Sequence, residues 1–389
     1  MMVVKYFLKK NLLAVNALID KILENVTSLD RKSIIDGCAF IDLSLIGDII
    51  VAMPYYYKLF TMLPNSQKYF LVTKKDTSFL LRQLLLNVEL DISFISVNMR
   101  KFKYDPLYRY KWLSNLPYVK YSIISHPNRT EDMEIVAIKF PSTYKIAYEG
   151  EMIYEKRKRR KNLEKFSYVI ESFYTQDIVH ISQHLEVLFK GIFEVLFGNI
   201  TDDFELNRSD YFYVLKKALL NFCQEKDYIV VLTDTSAPYR RYPLNKWQEV
   251  LSHIPKGTKI FQIGLTRFPL EYPNLLDLTG KTSLEEAMAI VMNASLVIGN
   301  ETGLTHLAYL SGVPTVCILG GGHFGRFLPW LEFEDIVKCV YKPMDCFQCG
   351  WRCKYVSLSK GKVPPCISNI PAEKIIDAIE ELDKIYKIF

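Results

Sequence analysis

Leu296-Val297-Ile298-Gly299-Asn300-Glu301-Thr302-Gly303-Leu304-Thr305-His306-Leu307 passes from an apolar stretch, through small and hydrogen-bonding residues, into a second apolar stretch. Leu296 to Ile298 reads as a strand and Leu307 to Leu310 as part of a helix, so the residues between them form a strand-to-helix turn. Backbone N–H groups at such a helix start are a ready anion site, and small residues let a phosphate come close. Thr302 and Gly303 are the candidate phosphate contacts, while Glu301 is placed to accept hydrogen bonds from sugar or ribose hydroxyls. His306, one turn into the helix, is either a donor to phosphate or a satisfied helix histidine.

The same grammar recurs along the chain. Tyr228 to Leu232 is a strand followed by Thr233-Asp234-Thr235-Ser236-Ala237-Pro238-Tyr239-Arg240-Arg241-Tyr242-Pro243, with a helix from about Asn245. Arg240 or Arg241 can neutralise a diphosphate leaving group there, or be a surface pair. Ala39 to Leu45 is a compact apolar run ending at Gly47-Asp48, and Ile49, Ala52, Met53, Tyr56, Leu59 and Phe60 follow at helical spacing. Asp48 at that turn suits a general base for a sugar hydroxyl, which is a poor nucleophile until its proton is being removed, or else an N-cap. Further strands are expected at Phe70 to Thr73, Ile92 to Val97, Tyr121 to Ser125, Lys259 to Ile263 and Thr315 to Leu319, and a helix over Phe166 to Phe197.

Strands alternating with helices imply parallel sheets covered on both faces, and 389 residues exceed what one core comfortably supports. The expectation is α/β, with two doubly wound Rossmann-like domains and a ligand cleft between them at the carboxyl ends of the strands. The boundaries are 34–205 and 206–389, with a candidate hinge at Thr201 to Asp210. Residues 1–33 precede them, carrying an amphipathic helix over 3–24 through Val4, Leu8, Leu12, Val15, Ile19 and Ile22. Loops such as Asn98 to Trp112 and Arg129 to Arg160 are expected to shape the acceptor side.

Composition narrows the class. At 49% hydrophobic and 13% aromatic, the chain is neither disordered nor a small disulfide scaffold. No uninterrupted apolar run approaches the roughly 18 residues of a spanning helix, and Asn16 and Asp20 interrupt the N-terminal apolar stretch, so a cytoplasmic protein is expected. A net charge of +6 is too mild to indicate nucleic acid. The run Lys156-Arg157-Lys158-Arg159-Arg160-Lys161 is either a solvated loop or a contact for phosphates of an acidic lipid or glycan. No Asp-x-Asp stands in a setting for a diphosphate-bound divalent ion, and there is no Gly-x-Gly-x-x-Gly or Walker loop.

Together and in this order, the pieces from about Ala39 onward resemble glycosyltransferase family 9, the lipopolysaccharide heptosyltransferase family. The resemblance rests on Ser44 to Asp48, on Arg240 to Trp247, on Gly280-Lys281-Thr282-Ser283-Leu284, on Gly299 to Leu307 and on Gly312-Val313-Pro314-Thr315-Val316. It implies a GT-B fold and an inverting, metal-independent transfer of heptose or a related sugar from a nucleotide-diphosphate donor, ADP-heptose by analogy, with no cofactor required. The acceptor implied is a lipopolysaccharide core or other glycolipid or oligosaccharide, met at the cytoplasmic face of the inner membrane. Asp48 is then the base. Thr235, Ser236 and Arg240 match positions holding the diphosphate, Thr282 lies near the nucleoside, and Glu301, Thr302, Gly303 and His306 match the donor-sugar and phosphate loop. Lys156, Arg157, Arg159 and Arg160 would meet acceptor phosphates. In this chain Asp42 stands where the family usually has a basic residue, Glu301 where Asp is commoner and Arg240 where Lys is typical.

Cys346, Cys349, Cys353 and Cys366 have a spacing that can hold a structural tetrahedral zinc; reduced thiols or a local clip explain them equally well. A non-catalytic nucleotide-sugar-binding or scaffold protein, and an epimerase or hydrolase of similar architecture, are the competing functional readings.

Overall fold

Strands whose every residue is apolar or small can be buried on both faces, and that is what a parallel sheet between two helical layers requires. The computed structural model describes residues 33–389 except 76, 87, 151–161, 174–177, 200 and 220–226. It contains two six-stranded parallel sheets. The first consists of β1 (Ile35–Asp42), β2 (Lys68–Thr73), β3 (Asp91–Ser96), β4 (Val119–Ile124), β5 (Ser142–Tyr148) and β6 (Tyr168–Ile170), in the order β3-β2-β1-β4-β5-β6. The second consists of β7 (Tyr228–Leu232), β8 (Lys259–Gln262), β9 (Leu275–Asp277), β10 (Leu296–Asn300), β11 (Thr315–Ile318) and β12 (Val337–Val340), in the order β12-β11-β10-β7-β8-β9. Both orders are doubly wound, each reversing direction between its two central strands.

Packing divides the described residues into two units that do not follow the chain in halves. One unit takes 33–44, Lys58–Phe173 and Val187–Phe204; the other takes Leu45–Tyr57, 178–186 and Glu205–Phe389. The main changeover, between Phe204 and Glu205, lies within the stretch 201–210. The first unit's core gathers Ile41, Val72, Phe102, Ile124 and Val136. The second gathers Val231, Trp247, Leu296, Ile298, Val316, Ile375 and Leu382.

Several expectations need correction. Phe166 to Phe197 is not one helix: Tyr168-Val169-Ile170 adds a strand to β5, and helix begins only at Ile181. Its β-branched and aromatic residues favour that edge position. Asn98 to Trp112 is not a loop, because Asn98 accepts from the Lys101 N–H, Asp105 accepts from the Tyr108 N–H and Pro106 opens the second turn, giving helices Met99–Tyr104 and Pro106–Ser114. Arg129 to Arg160 likewise holds the helix Glu131–Lys139 and β5, capped at Thr130. The amphipathic segment 3–24 and the basic run with Lys156, Arg157, Arg159 and Arg160 lie outside the described residues. Among those described, no helix is long and apolar enough to cross a membrane.

Candidate active site

In the second sheet β7 and β10 are neighbours, while β8 and β11 lie on their outer sides. Loops leaving the carboxyl ends of such a pair diverge and leave a crevice for ligand. Two expected site segments, 233–241 and 301–303, leave these two strands. They are pinned together by Asn300, which is fully buried at the end of β10. Its Oδ1 accepts from the Tyr242 N–H at 3.0 Å, and its Nδ2 donates to the carbonyls of Thr233 at 2.8 Å and Leu232 at 3.3 Å. Thr305 Oγ1 donates to the Asn300 carbonyl at 2.6 Å, fixing the helix start to the same residue.

Within the 233–241 loop, Asp234 is saturated by donors. Its Oδ1 accepts from the Thr235 N–H at 2.8 Å and from Arg241, and its Oδ2 from the N–H groups of Leu265 at 3.1 Å and Thr266 at 2.8 Å. Arg241 is therefore engaged in holding the loop, which separates the two arginines the sequence left open. Arg240 instead reaches Ser236 Oγ at 3.0 Å and Glu301 Oε2 at 3.3 Å, between the two loops. The Thr235 hydroxyl donates to the Ala237 carbonyl and shapes the turn, while Ser236 stays exposed.

Glu301 is 6% exposed and carries basic groups on both oxygens. His306 Nε2 lies 3.2 Å from Oε1; His323 Nδ1 lies 2.9 Å from Oε2, which Arg240 shares. Burial alone would raise the Glu301 pKa, but the facing imidazoles and their hydrogen bonds hold it well below the ordinary carboxylate value. The ionised carboxylate is the shared hydrogen-bond partner of three basic side chains. This changes the expected role of His306: its Nδ1 meets Tyr309 Oη at 3.0 Å and its Nε2 meets Glu301, so both ring nitrogens are engaged within the protein rather than offered to phosphate.

The helix starting here, Gly303–Leu310, is capped by Thr302, whose hydroxyl accepts from the Thr305 N–H. Its first-turn N–H groups have no acceptor within the helix and carry the positive end of its dipole. Against this end packs the first turn of the helix Ile46–Met62. A Cβ added at Gly303 would lie 2.9 Å from the Gly47 backbone N, and one added at Gly47 would lie 3.1 Å from the Gly303 Cα. Only two glycines permit so close an approach. Asp48, the residue after Gly47, is the third residue of its helix, inside the first turn rather than at the N-cap, and is partly exposed. The expected catalytic carboxylate thus belongs, by packing, to the unit that carries the Glu301 network. Gly303→Ala should lower stability by about 1–3 kcal/mol through overpacking and displace the Gly47-Asp48 turn. Thermal melting and turnover check this; a variant unchanged in both would mean the approach tolerates a methyl group.

A parallel αβ unit whose strand-end turns converge on buried basic groups has its counterpart among known sequences. Residues 176–355 match glycosyltransferase family 9 (heptosyltransferase). Family 9 is what this stretch is similar to. No curated protein matches the chain in sequence. Among solved structures, this chain resembles a glycosyl transferase family 9 protein from Veillonella parvula, at 17% identity over 89% of this chain and 97% of that one, with a TM-score of 0.56. It also resembles E. coli heptosyltransferase WaaC solved with ADP, at 14% identity, 91% and 100% coverage and a TM-score of 0.58. For E. coli ADP-heptose lps heptosyltransferase II the values are 15%, 90%, 99% and 0.54. The fold is that of these heptosyltransferases, two parallel-sheet α/β domains of the GT-B class.

The remaining expected residues fall at some distance from the network or apart from it. Thr282 precedes the N-cap Ser283 of the helix Leu284–Met292, after β9. That strand is two places from β7, or roughly 10 Å across the sheet. The separation is suited to a nucleoside lying beyond its phosphates. Cys346, Cys349, Cys353 and Cys366 do come together, lining one cavity with Gly321, Gly322 and Trp351. Among the described residues, however, no three His, Cys, Asp or Glu side chains are grouped to hold a metal ion. Burial pushes the Cys346 and Cys366 thiols up, as expected for protonated, packed sulfur. His323 went unread in the sequence. Its signal was the glycine run Gly320-Gly321-Gly322 directly after an apolar strand, the same strand-then-small-residue pattern that drew attention to Gly299.

Proposed function

We propose that this chain is an inverting glycosyltransferase that moves heptose or a related sugar from a nucleoside-diphosphate donor, ADP-heptose by analogy, to a lipopolysaccharide-core or other surface-glycan acceptor. The observation that carries the reading is the contact of Gly47 with Gly303, which sets the helix start bearing Asp48 against the helix start beside the Arg240, Glu301 and His323 network. Two strand-end turns with opposite chemical aptitudes, a carboxylate and a set of N–H donors, are what a displacement at an anomeric carbon needs.

In the transfer, Asp48 accepts the proton of the acceptor hydroxyl as its oxygen bonds to the anomeric carbon. The bond from that carbon to the donor's phosphate oxygen breaks, and the nucleoside diphosphate leaves with the electron pair and the added negative charge. Attack from the face opposite the leaving group inverts the centre. Arg240 and the N–H groups opening the Gly303–Leu310 helix meet the leaving charge without calling on a metal ion, which is the support for metal-independent transfer. WaaC has been solved with ADP-2-deoxy-2-fluoro heptose, and its likeness to this fold favours an adenine nucleotide as the first donor to test. The reading places the enzyme at the cytoplasmic face of the inner membrane, with Lys156, Arg157, Arg159 and Arg160 near acceptor phosphates; the support is the charge run itself.

The test is calorimetry of the purified chain against ADP-, UDP-, GDP- and CMP-sugars without added metal, followed by transfer of labelled sugar from the donor that binds to membrane glycolipid extract. Selective binding of one donor, and label in the glycolipid, are expected. Binding to none would overturn the donor site. Binding without transfer or sugar release would favour a nucleotide-sugar-binding protein.

A further inference from the structure

His323 lies five residues beyond β11, and the sheet explains why it reaches Glu301. Asn300 of β10 is in register with Ile318 of β11, so the residues following each strand leave the sheet side by side. The Gly320-Gly321-Gly322 run lets another segment press on the loop backbone: a Cβ at Gly320 would lie 2.7 Å from the Trp351 ring and one at Gly322 2.3 Å from it. The His323 ring is set edge-on between Trp351, at 5.2 Å and 76°, and Phe327, at 5.8 Å and 62°. Its Nδ1 is fixed at 2.9 Å from Glu301 Oε2, and its side chain is 16% exposed. Among the described residues Nε2 has no hydrogen-bond partner.

A donor without an acceptor stands in the same cluster. Arg240 Nε is buried without an acceptor, although other nitrogens of the same guanidinium reach Glu301 and Ser236 and the group lies over the Trp351 ring at 5.8 Å. A buried N–H left unmade costs free energy, so the Arg240 Nε–H beside the open edge of His323 calls for an acceptor the described residues do not supply. With Nδ1 turned to Glu301, Nε2 is the ring atom left to meet an anion arriving beside His323.

We propose that His323 is a catalytic residue of the transfer, donating its Nε2–H to the diphosphate of the sugar donor and retaining that proton as the nucleoside diphosphate leaves. The inference rests on the donor-site reading above and extends it to a residue on the third strand-end loop. Glu301 is then a positioning residue, orienting His323 and Arg240 toward the same group instead of contacting the sugar as its primary role.

Two variants separate this from a packing histidine. His323→Phe keeps the ring between Trp351 and Phe327 but has no nitrogen; His323→Gln keeps an N–H donor that can serve Glu301 or the anion, not both. With inorganic pyrophosphate as the probe in calorimetry of the full chain, His323→Phe should bind about tenfold more weakly than the native protein and His323→Gln several-fold more weakly. With the transferable donor, kcat should fall more than KM rises, because the leaving group gains charge in the transition state. Native affinity and kcat in both variants would overturn the proposal, and if His323→Phe fails to fold, His323→Gln decides on the same criterion. A native chain that binds neither pyrophosphate nor any nucleoside diphosphate would instead overturn the donor-site reading itself, and this inference with it.

Discussion

Asp48→Asn is expected to lower the turnover number about a thousandfold while leaving donor affinity within about twofold, since a positioned general base contributes roughly 10²–10⁴ in rate. The substitution is close to isosteric and keeps the side chain in the first turn of the helix Ile46–Met62. What it removes is the ability to take a proton. Loss of a carboxylate from a helix N-terminus costs only about 0.3–1 kcal/mol, so a folded protein should remain for assay. Donor calorimetry and labelled-sugar transfer measured on the same preparation provide the check. Retained turnover would remove Asp48 from the mechanism and leave the Gly47–Gly303 contact as packing alone; lost donor binding would make Asp48 part of the donor site.

Glu301→Gln should destabilise the fold by about 3–5 kcal/mol, as breaking buried charge pairs does. The carboxylate accepts from Arg240, His306 and His323 on two oxygens. A glutamine amide offers one acceptor oxygen, and its NH₂ must then face donors, whether His306 on one side or His323 and Arg240 on the other. The loss should appear as a lower denaturant midpoint with unchanged slope, together with weaker pyrophosphate binding because Arg240 and His323 lose their fixed orientation. Sign matters for the pH dependence. The Glu301 pKa is depressed in the folded state, so its contribution is fully present above the ordinary carboxylate pKa and is lost only as pH falls toward the lower folded value. Above pH 5 the difference between native and variant protein should therefore be flat with respect to this group. A Glu301→Gln variant as stable as the native chain would mean that the three basic groups are solvated or neutral without it.

Much of the architecture can be read from the sequence because a doubly wound sheet writes itself locally. Tyr228–Leu232, Leu296–Asn300 and Thr315–Ile318 are short, largely apolar runs buried along their length, each followed by a glycine or hydroxyl turn, and a helix follows the first two. Burial of such a run needs no partner identity, only a place between two layers. β6, β9 and β12 were not legible. The first two have three residues each and the third contains Lys338 and Cys339, too little for any period to show, and each lies at a sheet edge where pairing with one neighbour decides the matter. Two helices within Asn98 to Trp112 were missed for a different reason: their signal is in the caps at Asn98 and Asp105 rather than in an apolar stripe.

By itself, the sequence determined the chain's parallel α/β character, its two-sheet organisation and the turns on which Asp48, Arg240 and Glu301 sit, since each of these depends on residues within one strand–turn–helix unit. Only the tertiary structure decided what those residues do to one another. Strand order placed β10 beside both β7 and β11, and so gathered Arg240, Glu301 and His323, separated by up to 83 positions, around one carboxylate. Packing such as the approach of Gly47 to Gly303 and of the Tyr55 and Tyr57 rings to Tyr211 and Tyr213 goes with the place of Leu45–Tyr57 in the second unit, which no pattern within residues 45–57 could specify. Hydrogen bonds and close packing act over a few ångströms whatever the distance along the chain, so the partners of a site residue are settled by where the sheets bring the strand ends.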